Sequence, residues 1–391
     1  MGTLKFVIRG IGFVRLGILA RILPPVQFGI FGIAGLILVL LEKLTETGIN
    51  VFLIQEDSLE EYIDTAFIVS IIRGIIGFAV ILLLSPLITL FFKEPLALAS
   101  IVVISFVPLV RGFINPSVVK FKKELDFKKD FLLRAGLFLV DALVAVVFSI
   151  ITKSAVGMVL GLLVSAIVEV FVSHVYISPK PKFAFNKLQF KTIIGRGKWV
   201  TGSGILEYLS TNVDDLVVGR VLGTVSLGYY QVAYKLSELP LTEVSQVVGQ
   251  VAFPVYSKIV KDKKRLKSSF IRVFVGNGAV GVLLGIFVFL FSGVIVEILL
   301  GPAWREAVGV VRVLAIFGII KALVYPVYSL FFAVRRQDLA AKLLFVTFLA
   351  LAVVIYPLTN VYGLFGAGYS AIISVVVSLP FGFYYTRKVF R

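Results

Sequence analysis

A chain that repeats itself at about half its own length can fold in few ways. Here RVLGTVSLGYYQVA, residues 220–233, repeats RILPPVQFGIFGIA, residues 21–34, at a constant offset of 199. Arg21 matches Arg220, Leu23 matches Leu222, Val26 matches Val225, Gly29 matches Gly228 and Ala34 matches Ala233. A second echo, SPLITLFFKEP from Ser85 and SGVIVEILLGP from Ser292, follows in the same order at an offset of 207. The sequence therefore predicts two related halves, and a repeat of that size in a membrane protein points to a transporter.

Composition places the chain in the membrane. It is 59% hydrophobic and 16% charged, with mean hydropathy +1.02, against about 45–50% apolar residues in soluble domains. A bilayer core takes about 20 apolar residues per helix. Such runs lie near 4–23, 28–50, 64–84, 96–115, 131–152 and 155–177, then near 194–219, 227–252, 270–292, 307–331, 340–357 and 364–385. The expected fold is all-α and integral to the membrane, with about twelve transmembrane helices in two pseudo-symmetric six-helix lobes around a central cavity. The N-terminal lobe is 1–178, a cytoplasmic interfacial connector is 179–193, and the C-terminal lobe is 194–391. The connector alternates aromatic and basic residues, as a segment lying in the headgroup region would. Gly157 with Gly161, and Gly281 with Gly285, have the spacing that lets membrane helices approach closely. Lys5, Arg9 and Arg15 interrupt the first apolar run, so it reads as a span and not as a cleavable signal peptide. There is no Cys, which excludes disulfides and thiolate chemistry.

Charge tests the topology. Lys120, Lys122, Lys123, Lys128, Lys129, Lys180, Lys182, Lys187, Lys191, Lys258, Lys261, Lys263, Lys264, Arg335, Arg336 and Arg391 fall in the connections after spans 4, 6, 8 and 10 and in the tail. The opposite loops carry only Arg21, Lys93, Lys153, Arg220 and Arg305. This bias puts both termini in the cytoplasm of a cell (inner or plasma) membrane. The acidic loop QEDSLEEYID, which includes Asp57, is tolerated because carboxylates weigh little in that rule. Nucleic acid is the competing explanation of the +17 net charge, but basic residues in short loops at a membrane face are attracted to lipid headgroups instead.

Four stretches carry a family resemblance: RILPPVQFGIF closing span 1, DLVVGRVLGTVSLGYYQVAYK across spans 7 and 8, VAFPVYSK closing span 8, and LLGPAWREA after span 9. Together they resemble the polysaccharide or oligosaccharide flippases, the lipid-linked oligosaccharide translocases of the multidrug/oligosaccharidyl-lipid/polysaccharide exporter superfamily. The resemblance spans essentially the whole chain. It implies twelve helices in two lobes, a V-shaped central cavity, and alternating access that moves a polyprenyl-diphosphate-linked oligosaccharide from the inner to the outer leaflet. Glycosyltransferases and a polymerase of the same pathway are the implied partners.

The embedded charges suit such a cargo. A charge at mid-membrane costs about 2.5–3.5 kcal/mol on insertion scales, so ionisable residues inside spans face protein or a wet cavity. Arg9, Arg15, Arg73, Lys235 and Lys321 are the candidate cavity cations, since a diphosphate needs several and guanidinium offers it paired donors. Arg111 and Arg312, near span ends, read as snorkelling side chains. Among the embedded carboxylates Glu46, Asp141, Glu169, Glu207, Asp214, Asp215 and Glu238, structural ion pairing is the default role. Glu207, Asp214, Asp215 and Glu238 are candidates, with Arg15, for gating or coupling. The repeat sets Asp214 opposite Arg15, 199 residues on, which predicts a contact between them that closes the outer mouth. No cofactor is expected beyond a coupling Na+ or H+, and no metal.

Enzyme readings find little support. His174 is the one histidine, placed where an interfacial side chain would be, and no P-loop or HExxH is present. Asp214 and Asp215 resemble the Mg2+-holding pair of membrane sugar-phosphate transferases, yet they lie in the outer half of a span. The chain reads as a monomeric transporter driven by an ion gradient, the membrane potential or downhill removal of product. An ion-coupled multidrug/cation antiporter of the same fold and a non-transporting scaffold of a glycan-assembly complex are the alternatives.

Overall fold

The computed structural model describes residues 2–46, 48–56 and 58–390, and their side chains apart from those of 2–8, 196–200, Leu239 and Glu243. The Lys5 side chain and residues Asp57 and Arg391, named above, fall outside that description. Among the described residues every regular element is helical: α1 (Gly2–Ile22), α2 (Pro25–Leu44), α3 (Ile49–Gln55), α4 (Leu59–Phe92), α5 (Ala97–Arg111), α6 (Lys120–Lys123), α7 (Phe127–Thr152), α8 (Ala155–Tyr176), α9 (Lys187–Ser237), α10 (Leu239–Ile259), α11 (Lys263–Leu299), α12 (Ala307–Ala333) and α13 (Gln337–Phe390). Short 3-10 turns cover Pro116–Val119 and Pro302–Trp304.

Seven of the described helices, α2, α4, α7, α8, α11, α12 and α13, are long and apolar enough to cross a membrane. An eighth joins them if α5 and the segment Pro116–Lys123, bent by 78°, count as one span. α1 misses that standard because Arg9, Arg15 and Arg21 punctuate it. α13 has 54 residues, about 80 Å of helix if straight, far more than one crossing requires. It is broken at Gly363, whose φ is 60°, and α9 is broken likewise at Gly223, whose φ is 84°. In that left-handed region a Cβ clashes with the backbone, so glycine is the residue that permits the break. Both breaks fall in the gaps expected between spans 7 and 8 and between spans 11 and 12. The connections at 23–24 and 153–154 also lie where expected, whereas the breaks between α2 and α3 and at Glu238 between α9 and α10 fall inside the runs 28–50 and 227–252 expected as single spans. Pro25 occupies the first turn of α2, where a missing N–H is harmless. Ser154, Asp126 and Asp262 cap α8, α7 and α11 by accepting from the N–H groups of Val156, Lys129 and Arg265. The Lys129 ammonium, 2.9 Å from Asp126, together with that N–H holds the Asp126 carboxyl below its usual range.

The chain forms two compact units, Met1–Asn212 and Val213–Arg391, with the boundary inside α9. In unit 1, α7 packs along α8, α4 along α5, and α5 also meets α2 and α8, while α1 lies on α7. The first part of α9 joins this unit through the Tyr208 hydroxyl, which donates to the Leu36 carbonyl of α2 at 3.0 Å. A satellite core under one end of unit 1 gathers Phe52 and Leu53 of α3, Ile63 and Ala66 of α4, Val119 and Ile193. In unit 2, α12 is central and packs against α10, α11 and α13.

Glycines set the closest of these contacts. A Cβ on Gly157 of α8 would stand 2.4 Å from the Ser149 nitrogen of α7, and one on Gly281 of α11 would stand 2.8 Å from the Ala322 Cβ of α12. Gly285 faces Ile319 at 2.1 Å on the same terms. The glycine pairs singled out in the sequence are thus helix contacts, as small residues in membrane helices commonly are. Gly157→Ala should therefore destabilise the purified protein by roughly 1–3 kcal/mol, the usual range for overpacking. Gly293→Ala, with nothing within 4 Å of the added carbon, should leave the thermal midpoint in detergent almost unmoved; equal effects would reject the packing role.

Candidate functional site

The charges embedded in the helices are largely held by one another. From α1, Arg15 donates through both terminal nitrogens to Asp141 of α7, at 2.8 and 3.1 Å. This planar fork-to-fork geometry makes Arg–carboxylate pairs strong. The side chains are 15% and 7% exposed, so each charge has lost most of its water and depends on the other. α8 makes room for the pair, because a Cβ on Gly161 would stand 2.6 Å from both the carbonyl oxygen and Oδ1 of Asp141. Within unit 1 the partner of Arg15 is Asp141; Asp214, which the repeat sets opposite it, belongs to unit 2.

A second polar layer in unit 1 lies at the C-terminal ends of α2 and α5. Arg111 donates to Glu42 at 2.5 Å, so it is an ion-paired residue and more than a snorkelling one. Arg73 of α4 is half-buried in the field of Glu42 and Glu46, with Arg111 as a like-charged neighbour. Lys43 bridges Glu207 at 3.0 Å and Glu46 at 3.6 Å. The Glu207 side chain is 65% exposed, and a pair that open contributes little to stability. Arg9 is half-buried on α1.

Unit 2 builds a longer polar stripe. Tyr230, Tyr234 and Glu238 recur every four residues and so share one helix face. The Tyr230 hydroxyl, fully buried, donates to Asp214 at 2.9 Å. Lys321 of α12 closes the other end: it donates to Glu238, lies 3.3 Å from the Tyr234 hydroxyl, and sits over the rings of Phe317 and Tyr234 at 5.2 and 5.8 Å. An ammonium is solvated there by a carboxylate, a phenol and two π faces in place of water. Asp215 accepts from Gln231 at 3.0 Å and lies in the field of Lys235, which is exposed. Arg312 donates to Ser292 of the second sequence echo at 2.9 Å.

Of the candidates read from sequence, the structure brings Lys321 and Glu238 together, and supplies Arg15, Asp214 and Asp215 with Asp141, Tyr230 and Gln231. Tyr230 and Gln231 had a visible signal, each standing 16 residues after its aspartate. Among the described residues no three His, Asp or Glu side chains gather as metal ligands would.

An all-helical membrane protein whose embedded charges are paired inside its helices is here built on the exporter fold. It superposes on the lipid II flippase MurJ in an inward closed conformation with TM-score 0.81, at 15% identity over 99% of this chain and 88% of that one. It superposes on an inward-facing multidrug resistance MATE family transporter with TM-score 0.68, at 16% identity over 100% and 94% of the two chains. Residues 18–309 match the family described as polysaccharide biosynthesis protein. The chain belongs to that family. A relative, the lipopolysaccharide biosynthesis protein WzxC of Escherichia coli, is 27% identical over 360 residues, 89% of this chain and 72% of its own length.

The Arg15–Asp141 pair has a testable energetic signature. Asp141→Asn leaves a buried guanidinium uncompensated and should destabilise the protein by about 3–5 kcal/mol. Adding Arg15→Met removes the orphaned charge and should recover most of that loss in the thermal midpoint. A double variant no more stable than Asp141→Asn alone would show that the pair is not coupled.

Proposed function

We propose that this protein carries polyprenyl-diphosphate-linked oligosaccharide, an O-antigen, exopolysaccharide or similar repeat unit, from the cytoplasmic to the outer leaflet by alternating access. The observation that carries the reading is the family match, which runs through both compact units. The likeness in fold to a lipid II flippase over 99% of the chain agrees with it. In this reading the protein is a transporter and no enzyme, monomeric, with both termini at the cytoplasmic face of the cell membrane.

The finer architecture belongs to the same proposal. Dividing α9 at Gly223 and α13 at Gly363, and counting the end of α9 with α10 as one span, gives twelve spans in two lobes joined by the connector 179–193. The packing glycines support the repeat. Gly281 stands 207 residues after Gly74, which meets Pro108 of α5 as Gly281 meets Ala322 of α12. Gly366 stands 209 residues after Gly157, and each presses on the helix before it, at Leu358 and Ser149.

The residues can handle a diphosphate without leaving charge bare. Arg15, Lys321, Arg9, Arg73 and Lys235 are the cations we assign to the headgroup, and Asp141 and Glu238 hold two of them until phosphate oxygens take their place. Arg15 Nε is buried without a hydrogen-bond partner among the described residues, so one donor is left over for the cargo. Asp214, Asp215, Glu207 and Glu238 are the groups through which a coupling Na+ or H+ would act.

The test is reconstitution into vesicles with a labelled polyprenyl-diphosphate oligosaccharide, reading its accessibility to a membrane-impermeant reagent. Wild-type protein should speed its crossing at least tenfold over empty vesicles, and Arg9→Ala with Arg15→Ala and Lys235→Ala should abolish the gain. Crossing no faster than in empty vesicles rejects flipping. Movement of lipophilic cations instead would identify an antiporter, and unchanged surface polysaccharide in cells carrying the triple variant would identify a scaffold.

A further inference from the structure

The segment between α8 and α9 is fastened to unit 1 with more polar contacts than a mere linker requires. Asn115 reaches the carbonyls of Ser173, Ile177 and Pro179 with its amide nitrogen at 3.2, 3.2 and 3.1 Å. The Ser117 hydroxyl donates to the same Pro179 carbonyl at 2.5 Å. Further along, the N–H of Lys182 donates to Asp64 at 2.8 Å and the N–H of Asn186 to Thr65 at 3.2 Å. Thr65 in turn donates to Gln189 at 2.6 Å, and the Gln189 amide donates to the Glu61 carbonyl at 3.0 Å. Ile193, fully buried, anchors the far end in the satellite core. The strap is therefore set in one place against α4, the turn at Asn115–Val119 and the end of α8.

That fastening leaves apolar side chains largely uncovered, although the Phe183 ring meets Phe67 of α4 edge-on at 5.5 Å and the Phe185 ring meets Phe190 at 5.5 Å. Phe183 and Leu188 are each 78% exposed and Phe185 is 54% exposed. Lys180, Lys182, Lys187 and Lys191 are exposed around them, and among the described residues none of these four ammonium groups is in an ion pair. The position in the fold says what lies outside. The strap begins directly after Tyr176, the last residue of α8, and is held at the first residues of α4, and both helices are apolar enough to span a bilayer. It therefore sits at the level where spans end, among headgroups, where aromatic rings and lysines on apolar stems are both favoured. Glu60 and Glu61 are exposed nearby on α4, and Lys120, Lys122 and Lys123 of α6, next to Val119 of the same core, offset them.

We infer that residues 179–191 form an in-plane docking surface for anionic phospholipid, with Phe183, Phe185 and Leu188 inserted at the acyl boundary and Lys180, Lys182, Lys187 and Lys191 bound to headgroup phosphates. The inference does not rest on the proposed cargo. The surface selects lipids by charge, since each lysine near an anionic leaflet adds attraction that a zwitterionic one does not supply. It also gives unit 1 a fixed footing in one leaflet, because the strap cannot leave the surface without breaking its bonds to α4 and to Asn115 and Ser117.

The chain has no cysteine, so Phe183→Cys provides a unique thiol for an environment-sensitive fluorophore in the full-length protein. In vesicles of phosphatidylcholine with phosphatidylglycerol, nitroxide-bearing phosphatidylglycerol should quench the label at least about twofold more than nitroxide-bearing phosphatidylcholine at equal content. Replacing Lys180, Lys182, Lys187 and Lys191 by Gln should bring that ratio to about one while the label stays in contact with lipid. A label at Leu188→Cys should behave alike, which guards against a local effect of the first substitution. Quenching by aqueous iodide but not by lipid, at both sites, overturns the docking surface. A ratio near one in the chain with its lysines overturns the charge selectivity and with it the inference.

Discussion

The cost of a bare charge in a hydrocarbon layer is a prohibition on most of them, and several of this molecule's embedded charges answer it by pairing. Arg15 and Asp141 share one planar contact, Arg111 and Glu42 another, and Lys321 lies between Glu238 and two aromatic rings. Each pair bridges two helices, so each also fixes how those helices lie on one another. The desolvation cost of such pairs is large enough that hydrophobic residues of similar size would often be at least as stable. Their presence in a chain this apolar is hard to account for by stability alone, and a charged cargo supplies the missing reason.

The two units meet the prohibition with different chemistry. Unit 1 uses a guanidinium locked edge to edge with a carboxylate, a geometry that holds direction as well as charge. Unit 2 uses an ammonium, a rounder charge, and surrounds it with phenol and ring faces along a stripe that runs on through Tyr230 to Asp214. Tyrosines suit that stripe because each offers an apolar body to the neighbouring helix and one polar tip to the next group. Unit 1 thus carries a rigid clasp and unit 2 a polar chain.

Much of the architecture was legible before any coordinates. Hydropathy picked out the apolar helices because it responds to the bilayer, which acts on every residue alike. The breaks at Gly223 and Gly363 fell in short polar or glycine-bearing gaps, and the glycines at 157, 161, 281 and 285 announced close contacts by spacing. The list of embedded charges was also legible. Who pairs with whom was not, because Arg15 and Asp141 are separated by 126 residues, and no local pattern encodes which of several carboxylates a given arginine meets. Repeat symmetry reports equivalent positions and is silent about neighbours within a unit. Tyr230 was passed over for a different reason: a tyrosine in an apolar run looks like core until its hydroxyl is seen to meet a buried acid.

Gly161 has no side chain where Asp141 has a charged one, and the two facts are a single arrangement. The backbone carbonyl of Asp141 and the Cβ of Ala145 crowd the same point, at 2.6 and 2.8 Å from a Cβ at position 161, so loss of the carboxylate alone would open no room for a larger residue there. The glycine therefore serves the crossing of α7 and α8 first, and the clasp occupies space that the crossing already keeps clear.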